Sequence, residues 1–455
     1  MVEKMYNQEN RQKISQILTE IQEKEIKFCL FQFLSIDGRP KSIGINTDHL
    51  EDLFYNGEGF DGSSITGYGR LEESDMVAVP DPQTFAVIPW REEGEVDARL
   101  ICDIYKPNGE RFPGDPRYIL QKTIKEAADM GYKFYLAPEL EFFLLKQGNH
   151  LETPQPIDFR GYFGADDSEL DHLIRRKIAV FAEKFPGINV ETVHHEVARS
   201  QNEISMKYDN ALKMADSTMT MKMVVKVVAA QHNMLATFMP KPWAGQNGSG
   251  MHVHQSLWNI TTKQNVFFNA EDPNQISETL RYFIAGQLKH AHSMTAILNS
   301  WPNSYKRLVP GYEAPTLIAW GFKNRSMLIR VPNFFNKANA ARCEIRSPDP
   351  AGNPYLQFAA LLNAGLDGIK YKIEPPEAID INLFHLTQEE LRNMGIENIP
   401  TSLDEALRHM ERSSFTRELL GEDAYRAYSD LKWKEYNLYR NQVTEWELKR
   451  YSQVL

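Results

Sequence analysis

Five glutamates lie inside apolar, strand-like stretches of this sequence, where charged residues are seldom buried without a partner. Glu139 and Glu141 occur in "FYLAPELEFFLL", and side-chain alternation along a strand puts both on one face. Glu196 and Glu203 occur in "HHEVARSQNEISMKY", and Glu344 in "AARCEIRSPDP". If these carboxylates share a cavity, only cations can compensate them, and that many oxygen ligands favour Mg²⁺ or Mn²⁺ over zinc. The alternative for each, taken alone, is an amphipathic edge strand with its acids in solvent.

The segment "NGSGMHVHQS", residues 247–256, combines glycines with two histidines. A phosphate-binding loop of the Walker type needs a lysine after the glycines and a following helix, and neither is indicated here. Instead His252, His254 and Ser256 alternate as on a strand and project to one side. That pattern suits one metal ligand followed by polar contacts along a bound anion. The alternative is a half-exposed strand that happens to carry histidine.

Arginines supply the opposite charge, and they occur among proline, glycine and β-branched residues where solvated lysines would be more usual. Their planar guanidinium groups bind carboxylate and phosphate in bidentate fashion. These arginines are Arg307, Arg325, Arg330, Arg342 and Arg346. Surface ion pairs are the alternative for any one of them. Together with the carboxylates, they indicate two-metal phosphoryl transfer from a nucleotide, although the residues alone do not name the acceptor.

Composition limits the class of protein that can carry this site. The chain has 455 residues, of which 42% are hydrophobic and 25% charged, with a formal net charge of -10. Such a length predicts two or more domains, and the negative charge argues against nucleic acid as the main partner. Three cysteines without CxxC spacing suit a reducing compartment. With no targeting segment or long apolar run, we expect a cytoplasmic protein that does not span a membrane.

The pattern of elements predicts a domain boundary near residue 113. Residues 1–112 consist largely of short strand-like pieces, which predicts a compact, sheet-rich N-terminal unit. Residues 113–455 alternate strands with longer helices, the first of which has Asp115 as N-cap, Pro116 in its first turn and Gly131 as its stop.

Two further helical regions are predicted in the second unit. One helix should run from Asn210 to His232. Residues 401–455 should be helical throughout, opened by a capping box of Ser402 and Glu405.

Over almost its whole length the chain resembles the glutamine synthetases of the bacterial and archaeal type I kind. The resemblance is carried, in this order, by "FDGSSITGYGRLEESDM", "PELEFFLL", "HHEVARSQNEI", "ATFMPKP", "NGSGMH", "KRLVPGYEAP", "NRSMLIRVP" and "EIRSPDPAGNPYLQFAALLNAGLDGI". It implies an α+β fold with a small β-grasp-like N-terminal domain. The larger catalytic domain would have a curved antiparallel sheet with flanking helices.

The resemblance also implies a role for each candidate residue. One divalent ion would be held by Glu141, Glu196 and Glu203, and a second by Glu139, His252 and Glu344. Glutamate would be bound by Asn247, Gly248, Arg307 and Arg346. ATP would be bound by Tyr208, His254, Ser256, Arg325, Arg330 and Arg342. Catalytic roles, including the ammonium pocket and a flap that closes over the site, would fall to Asp61, Ser64, Tyr162, Glu313 and Arg342.

The implied reaction is ATP-dependent ligation of ammonia to the γ-carboxylate of L-glutamate through γ-glutamyl phosphate, giving L-glutamine, ADP and phosphate. Because Asp61 and Ser64 would serve a neighbouring subunit, we expect a homo-oligomer, a dodecamer of two hexameric rings, and nitrogen-regulatory proteins as possible partners. One alternative is a related γ-glutamylamide ligase that uses an organic amine or polyamine. Another is a non-catalytic nitrogen-sensing or structural homologue, which would predict eroded metal ligands.

Three positions depart from the family pattern. Ser200 replaces a glycine that many relatives have before "QNE", so the loop between Glu196 and Glu203 is open to a different conformation. Asn339 stands where some relatives have lysine, with Lys337 close by, and Trp243 stands where methionine or leucine is common.

Two further positions concern regulation. Phe384 occupies the place of the tyrosine that is modified in the adenylylated branch, so we predict no adenylylation. Arg70 matches an arginine that relatives use in glutamine feedback inhibition, and Arg70→Ala should relieve such inhibition.

Overall fold

The computed structural model describes residues 7–65, 67, 75–91, 96–148, 155–164, 169–322, 327–379, 381, 383 and 386–455. The helices are α1 Gln8–Glu23, α2 Leu50–Asn56, α3 Pro116–Asp129, α4 Glu169–Ala182, α5 Ala211–Gln231, α6 Glu278–Lys289, α7 Ala291–Leu298, α8 Ser304–Arg307, α9 Pro354–Tyr371, α10 Gln388–Asn393, α11 Leu403–Arg412, α12 Ser414–Leu420, α13 Glu422–Arg440 and α14 Glu445–Tyr451. The strands are β1 Phe28–Leu34, β2 Pro40–Asn46, β3 Glu58–Asp61, β4 Asp75–Pro80, β5 Ala86–Val87, β6 Asp97–Tyr105, β7 Tyr132–Lys146, β8 Gln155–Pro156, β9 Val190–His195, β10 Gln201–Met206, β11 Asp209–Asn210, β12 Met234–Thr237, β13 Met251–Asn259, β14 Leu317–Gly321, β15 Met327–Arg330 and β16 Cys343–Ile345. None of the helices in these ranges is long and apolar enough to cross a bilayer.

The N-terminal unit is built on a six-stranded sheet. Its strand order is β2-β1-β6-β4-β3, with β5 added beside β6, and only the β1–β6 pair is parallel. Helix α1 packs on this sheet through Ile14, Ile17 and Ile21, which are all buried at helical spacing. A hydrophobic core of its own therefore stabilises this unit.

The second unit is built on a ten-stranded sheet with β7 at its centre. The order is β14-β15-β16-β13-β7-β10-β9, and β8, β11 and β12 also pair with β7. All pairs are antiparallel, as expected, except β14–β15, which is parallel. Phe134, Leu136, Leu140 and Phe142 alternate along β7 into the largest core, beneath helices such as α3 and α5. The predicted α+β class is confirmed.

A buried network of charges joins the two units. Arg117 of α3 donates two hydrogen bonds to Asp216 of α5, at 3.1 and 3.0 Å. The same guanidinium reaches Asp103 at 2.6 Å and Asp81 at 2.8 Å, and both of these belong to the N-terminal unit. Because Arg117 is only 3% exposed, this network fixes the small sheet against the helices of the large unit.

The helix ends follow the sequence signals with one local difference. Asp115 caps α3 by accepting from the Arg117 N–H, and Asn210 caps α5 by accepting from the Lys213 N–H. Ser402 likewise accepts from Glu405 N–H. The Glu405 carboxylate, however, accepts from the Thr401 backbone N–H at 2.7 Å, so the predicted reciprocal capping box is displaced by one residue.

Candidate active site

Strand register explains why residues far apart in the sequence converge on one face of the large sheet. Glu141 of β7 lies directly opposite Glu203 of β10, and Glu139 lies opposite His252 of β13. On the other side of β13, His254 lies opposite Glu344 of β16. Since side chains at paired positions project to the same face, four strands together build one cluster of acids and imidazoles.

One group of possible metal ligands consists of Glu139, His252 and Glu344, with ligand atoms within 4.8 Å of one another. His252 Nδ1 lies 3.1 Å from a Glu139 oxygen and 3.9 Å from a Glu344 oxygen. Burial, and then the charge of Arg346, lowers the pKa of His252 and keeps its imidazole neutral, which is the form that binds metal. Sequence reasoning assigned these three residues to one ion, and the structure brings them together.

The second group contains a residue that sequence reasoning missed. His194, Glu196 and Glu203 present ligand atoms within 4.8 Å of one another, and His194 Nε2 lies 3.2 Å from Glu203. Glu141, which was predicted to complete this site, borders the same cavity, but one of its oxygens accepts from Gln201 Nε2 and Gly250 N–H. The sequence feature that could have indicated His194 as a ligand is its position two residues before Glu196.

The carboxylates of this second group lack sufficient counter-charge from the protein. Burial, followed by the charges of Glu196 and Glu203, raises the pKa of Glu141 well above its ordinary value. Burial and the charge of Glu203 raise the pKa of Glu196 to about 7. A divalent cation would remove the repulsion that both shifts reflect, and the set of carboxylate oxygens and one imidazole suits Mg²⁺ or Mn²⁺. The residues present therefore fit the implied metal.

Arginines balance the first group of ligands. Arg330 donates to one oxygen of Glu344 at 2.9 Å, and Arg346 donates to the other at 2.5 Å. Burial acts to raise the pKa of Glu344, but Arg346 and the two histidines hold it below its ordinary value. Arg307, which was predicted to bind glutamate, also donates to the backbone carbonyls of residues 346, 347 and 348. It therefore also anchors the wall of the site.

Two adjoining cavities open onto this cluster. The smaller, of about 430 Å³, is lined by carboxylates of both ligand groups together with Asn247, Gly248, Arg307, Glu313, Arg330 and Arg346. The larger, of about 860 Å³, is lined by Tyr208, His254, Ser256, Lys337, Asn339 and Arg342, among others. Glu139, Tyr162 and Glu203 border both cavities. The predicted glutamate-binding residues thus line one cavity, and most of the predicted ATP-binding residues line the other.

His254 connects the metal ligands to the larger cavity. Its Nε2 lies 2.9 Å from Glu139, and Arg342 Nε donates to its Nδ1 at 3.3 Å. Burial acts to raise the pKa of Glu139, but hydrogen bonds to His252 and His254 more than offset it. Glu139 is therefore an anion at neutral pH, ready to hold a cation between the cavities.

Two of the departures from the family pattern have clear structural consequences. Ser200 adopts a left-handed backbone with φ of 58°, a conformation that favours glycine. Its hydroxyl compensates by accepting from the N–H groups of Ile157 and Asp158, at 2.7 and 3.2 Å. Trp243 packs edge-on against Phe143 with ring centroids 5.4 Å apart, and it is not among the described residues that line either cavity.

The predicted ammonium-pocket residues are divided between the two units. Tyr162 stacks on Phe163 with ring centroids 4.0 Å apart and borders both cavities. Asp61 ends β3 of the small unit and Ser64 lies in the turn that follows it, where Asp61 accepts from Ser63 and Ser64. Neither is among the described residues that line the cavities. The positions Arg70, Arg325 and Phe384 lie outside the described residues.

A large unit with clustered cation ligands and arginines beside a nucleotide-sized cavity defines an enzyme of the phosphoryl-transferring class. Residues 113–451 match the family model "Glutamine synthetase, catalytic domain", and residues 25–107 match "Glutamine synthetase, beta-Grasp domain". The chain belongs to the glutamine synthetase family. The β-grasp-like character predicted for its N-terminal unit is thereby confirmed.

Curated relatives from bacteria and archaea are similar over nearly the full length. The glutamine synthetase of Thermotoga maritima is 46% identical over 435 residues, which cover 95% of this chain and 97% of that protein. That of Methanosarcina mazei is 46% identical over 442 residues, covering 96% and 97%. A solved structure described as a GmaS/ADP complex is 30% identical, covers 96% of this chain and 99% of that one, and superposes with a TM-score of 0.86.

Proposed function

We propose that the two ligand groups on the large sheet hold the divalent cations with which this ligase forms glutamine from L-glutamate, ammonia and ATP. The chain is a glutamate–ammonia ligase of the glutamine synthetase family, and two glutamine synthetases are each 46% identical to it. The observation that supports the site assignment is the strand register, which brings Glu139, Glu141, Glu203, Glu344 and His252 to one face of the sheet. Glu196 directly follows β9 and lines the same smaller cavity.

The larger cavity takes ATP in this proposal. Tyr208 packs edge-on against Tyr135, which lies opposite Ser256 in the sheet, and His254, two residues before Ser256 on β13, contacts both Glu139 and Arg342. That order suits the adenine at one end and the phosphates at the ligand groups. Bound cations would neutralise charge on the transferred phosphate, and Arg342 would stabilise the same charge from the protein side. A relative solved with ADP supports nucleotide use.

The smaller cavity takes glutamate. Arg346 and Arg307 supply basic groups to its lining, and Asn247 and Gly248 also line it, with Gly248 next to the Arg307 side chain. In this arrangement the substrate's γ-carboxylate points toward the ligand groups, where its oxygen attacks the terminal phosphate of ATP. Arg346 pairs with Glu344 in this structure and would become available to substrate if a cation bound the Glu344 carboxylate.

Glu313 belongs to a flap that can exclude water from the reaction. It is exposed, has φ of 56°, and its carboxylate accepts a 3.4 Å hydrogen bond from Asn247. In the closed site Glu313 and Tyr162 face incoming ammonium, and Glu313 accepts its proton so that ammonia can displace phosphate. Closure matters because water would otherwise hydrolyse γ-glutamyl phosphate.

Asp61 and Ser64 complete the ammonium pocket of a neighbouring copy. Both residues lie at the end of β3 in the small unit, and neither lines the cavities of its own chain, which supports this role. The proposal therefore includes a cytoplasmic homo-oligomer, with two stacked hexameric rings as the expected form. Nitrogen-regulatory proteins are its candidate partners.

The test is an assay of the purified protein with L-glutamate, ATP and either Mg²⁺ or Mn²⁺. Ammonium should give glutamine and phosphate in equal amounts, and Glu203→Gln should abolish both. Glu126→Gln, on the exposed face of α3, is the matched control and should retain activity. Preferential use of methylamine or putrescine would establish the γ-glutamylamide ligase instead. No product with any amine would establish the non-catalytic homologue.

A further inference from the structure

The side chain of Lys241 makes two contacts to which the proposed reaction assigns no role. It lies in "MPKPW", after β12, and is only 7% exposed. Its ammonium nitrogen lies 3.7 Å from the centroid of the Tyr312 ring and also donates to the Gln246 backbone carbonyl. Lys241 itself is not among the described residues that line the two cavities.

These contacts join two segments that carry proposed substrate-binding groups. Gln246 immediately precedes Asn247 and Gly248, which border the glutamate cavity. Tyr312 immediately precedes Glu313 of the flap. The direct link between the two segments is the 3.4 Å hydrogen bond from Asn247 to Glu313, which is long for a charge-assisted contact. The ammonium group of Lys241 supplies a second link, because it contacts both Gln246 and Tyr312.

The backbone of Lys241 is held in place from the opposite side. Its N–H donates to Asn303 Oδ1 at 2.8 Å, and Asn303 Nδ2 donates back to its carbonyl at 3.0 Å. The preceding residue, Pro240, accepts from Ser249 N–H at 2.8 Å, which ties the same loop to residues 245–250. Lys241 therefore projects from a fixed support, while the Tyr312 side chain belongs to a segment with glycine at φ of 90° beside it.

An ammonium group in this setting interacts strongly with an aromatic ring. Burial, and then the charge of Arg307, lowers the pKa of Lys241 to about 8, so the group remains mostly charged at neutral pH. The attraction between a cation and the face of an aromatic ring is stronger when the pair is shielded from water than when it is exposed. The contact thus favours the position of Tyr312 that keeps Glu313 near Asn247.

We infer that Lys241 is a positioning residue that clamps the Tyr312–Glu313 flap to the Asn247 loop and so protects the acyl phosphate from water. This inference rests on the proposed function. When the clamp is lost, water attacks the γ-carbonyl carbon of γ-glutamyl phosphate, the bond from that carbon to the phosphate oxygen breaks, and glutamate and phosphate form. ATP is then consumed without glutamine being made.

The experiment compares glutamate-dependent phosphate release without ammonium to glutamine formation with ammonium. Lys241→Met, which keeps the side-chain length but not the charge, should raise the ratio of the first rate to the second on the order of tenfold. Tyr312→Leu should raise it similarly, and the double variant should add little more. Tyr312→Phe retains the ring and should stay close to the wild-type ratio. Lys226→Met is the control, because that ammonium lies 6.0 Å from the Phe238 ring, whereas the ammonium of Lys241 lies over the Tyr312 ring of the flap.

The outcomes separate the inference from the proposed function. A proportional loss of both rates in Lys241→Met would mean a merely structural role and would overturn the inference. Additive effects in the double variant, or a Tyr312→Phe ratio equal to that of Tyr312→Leu, would overturn it as well. If Lys241→Met does not fold, the partly exposed Tyr312 variants decide the question. A wild-type protein that forms no glutamine would instead refute the proposed function.

Discussion

Ionisation of the Glu196 carboxylate should make the metal-free protein less stable as pH rises from about 5 to 7.5. Burial and the charge of Glu203 raise the Glu196 pKa from 4.5 to about 7. Between these values the folded chain keeps a proton that the unfolded chain has lost, so the free energy of unfolding falls with rising pH until Glu196 is ionised in both states. At about 1.4 kcal/mol per pKa unit, the loss amounts to roughly 3 kcal/mol at most. Its side chain is only 14% exposed, so solvent screening is modest.

Divalent cations should reverse this dependence, because they bind the ionised carboxylates. At a concentration one hundred times the dissociation constant, a cation stabilises the folded state by about 2.7 kcal/mol. Binding at pH 7 should release about half a proton from Glu196, since the group is then half protonated. The pKa of Glu141 is raised in the same direction, so the total release should be larger.

The assay is thermal unfolding at pH 5.5, 6.5 and 7.5, in chelator and in Mg²⁺ or Mn²⁺, with proton release measured by calorimetry in two buffers. Glu196→Gln should flatten the pH dependence of the metal-free protein and reduce the stabilisation by metal. Glu126→Gln should change neither. A metal-free protein whose stability does not fall over this pH range would refute the assignment of a raised pKa to Glu196. A Glu196→Gln variant whose stability changes with pH as steeply as that of the wild type would refute it as well.

Substitutions at three further positions test other parts of the structure. Ser200→Ala should lower the free energy of unfolding by about 2 kcal/mol, because it removes the acceptor for two backbone N–H groups. Ser200→Gly should lower it by about 1 kcal/mol less, since glycine tolerates φ of 58°. Denaturant unfolding in which the glycine variant is less stable than the alanine variant would contradict this prediction. Arg117→Met should cost roughly 3–5 kcal/mol in the same measurement, because buried Asp216 loses its salt-bridge partner and keeps only neutral hydrogen bonds such as that from Tyr355. A loss below about 1 kcal/mol would show that the ion network is dispensable. Arg342→Ala should raise KM for ATP on the order of tenfold with little change in KM for glutamate, and steady-state kinetics showing the opposite pattern would move Arg342 out of the nucleotide cavity.

Local sequence signals were sufficient to predict much of this protein. Alternation along β7 placed Glu139 and Glu141 on one face, the predicted N-cap at Asp115 marked where α3 begins, and the helix predicted from Asn210 to His232 was found within one residue at each end. Ordered motifs over the whole length identified the family. These features depend on residues near one another in the chain, where spacing alone determines which side chains share a face.

Other features were decided by contacts between distant segments. The register of β7, β9, β10 and β13 selects which glutamate faces which histidine, and it brings His194 into the second ligand group while Glu141 is partly engaged by Gln201. The contact between Lys241 and Tyr312 joins loops 71 residues apart, and no periodicity predicts it. Sequence therefore determined the types and faces of the reactive groups. Tertiary structure determined their partners, because distances of a few ångströms between charges depend on how strands and loops pack, and those distances set the pKa values and the cation sites.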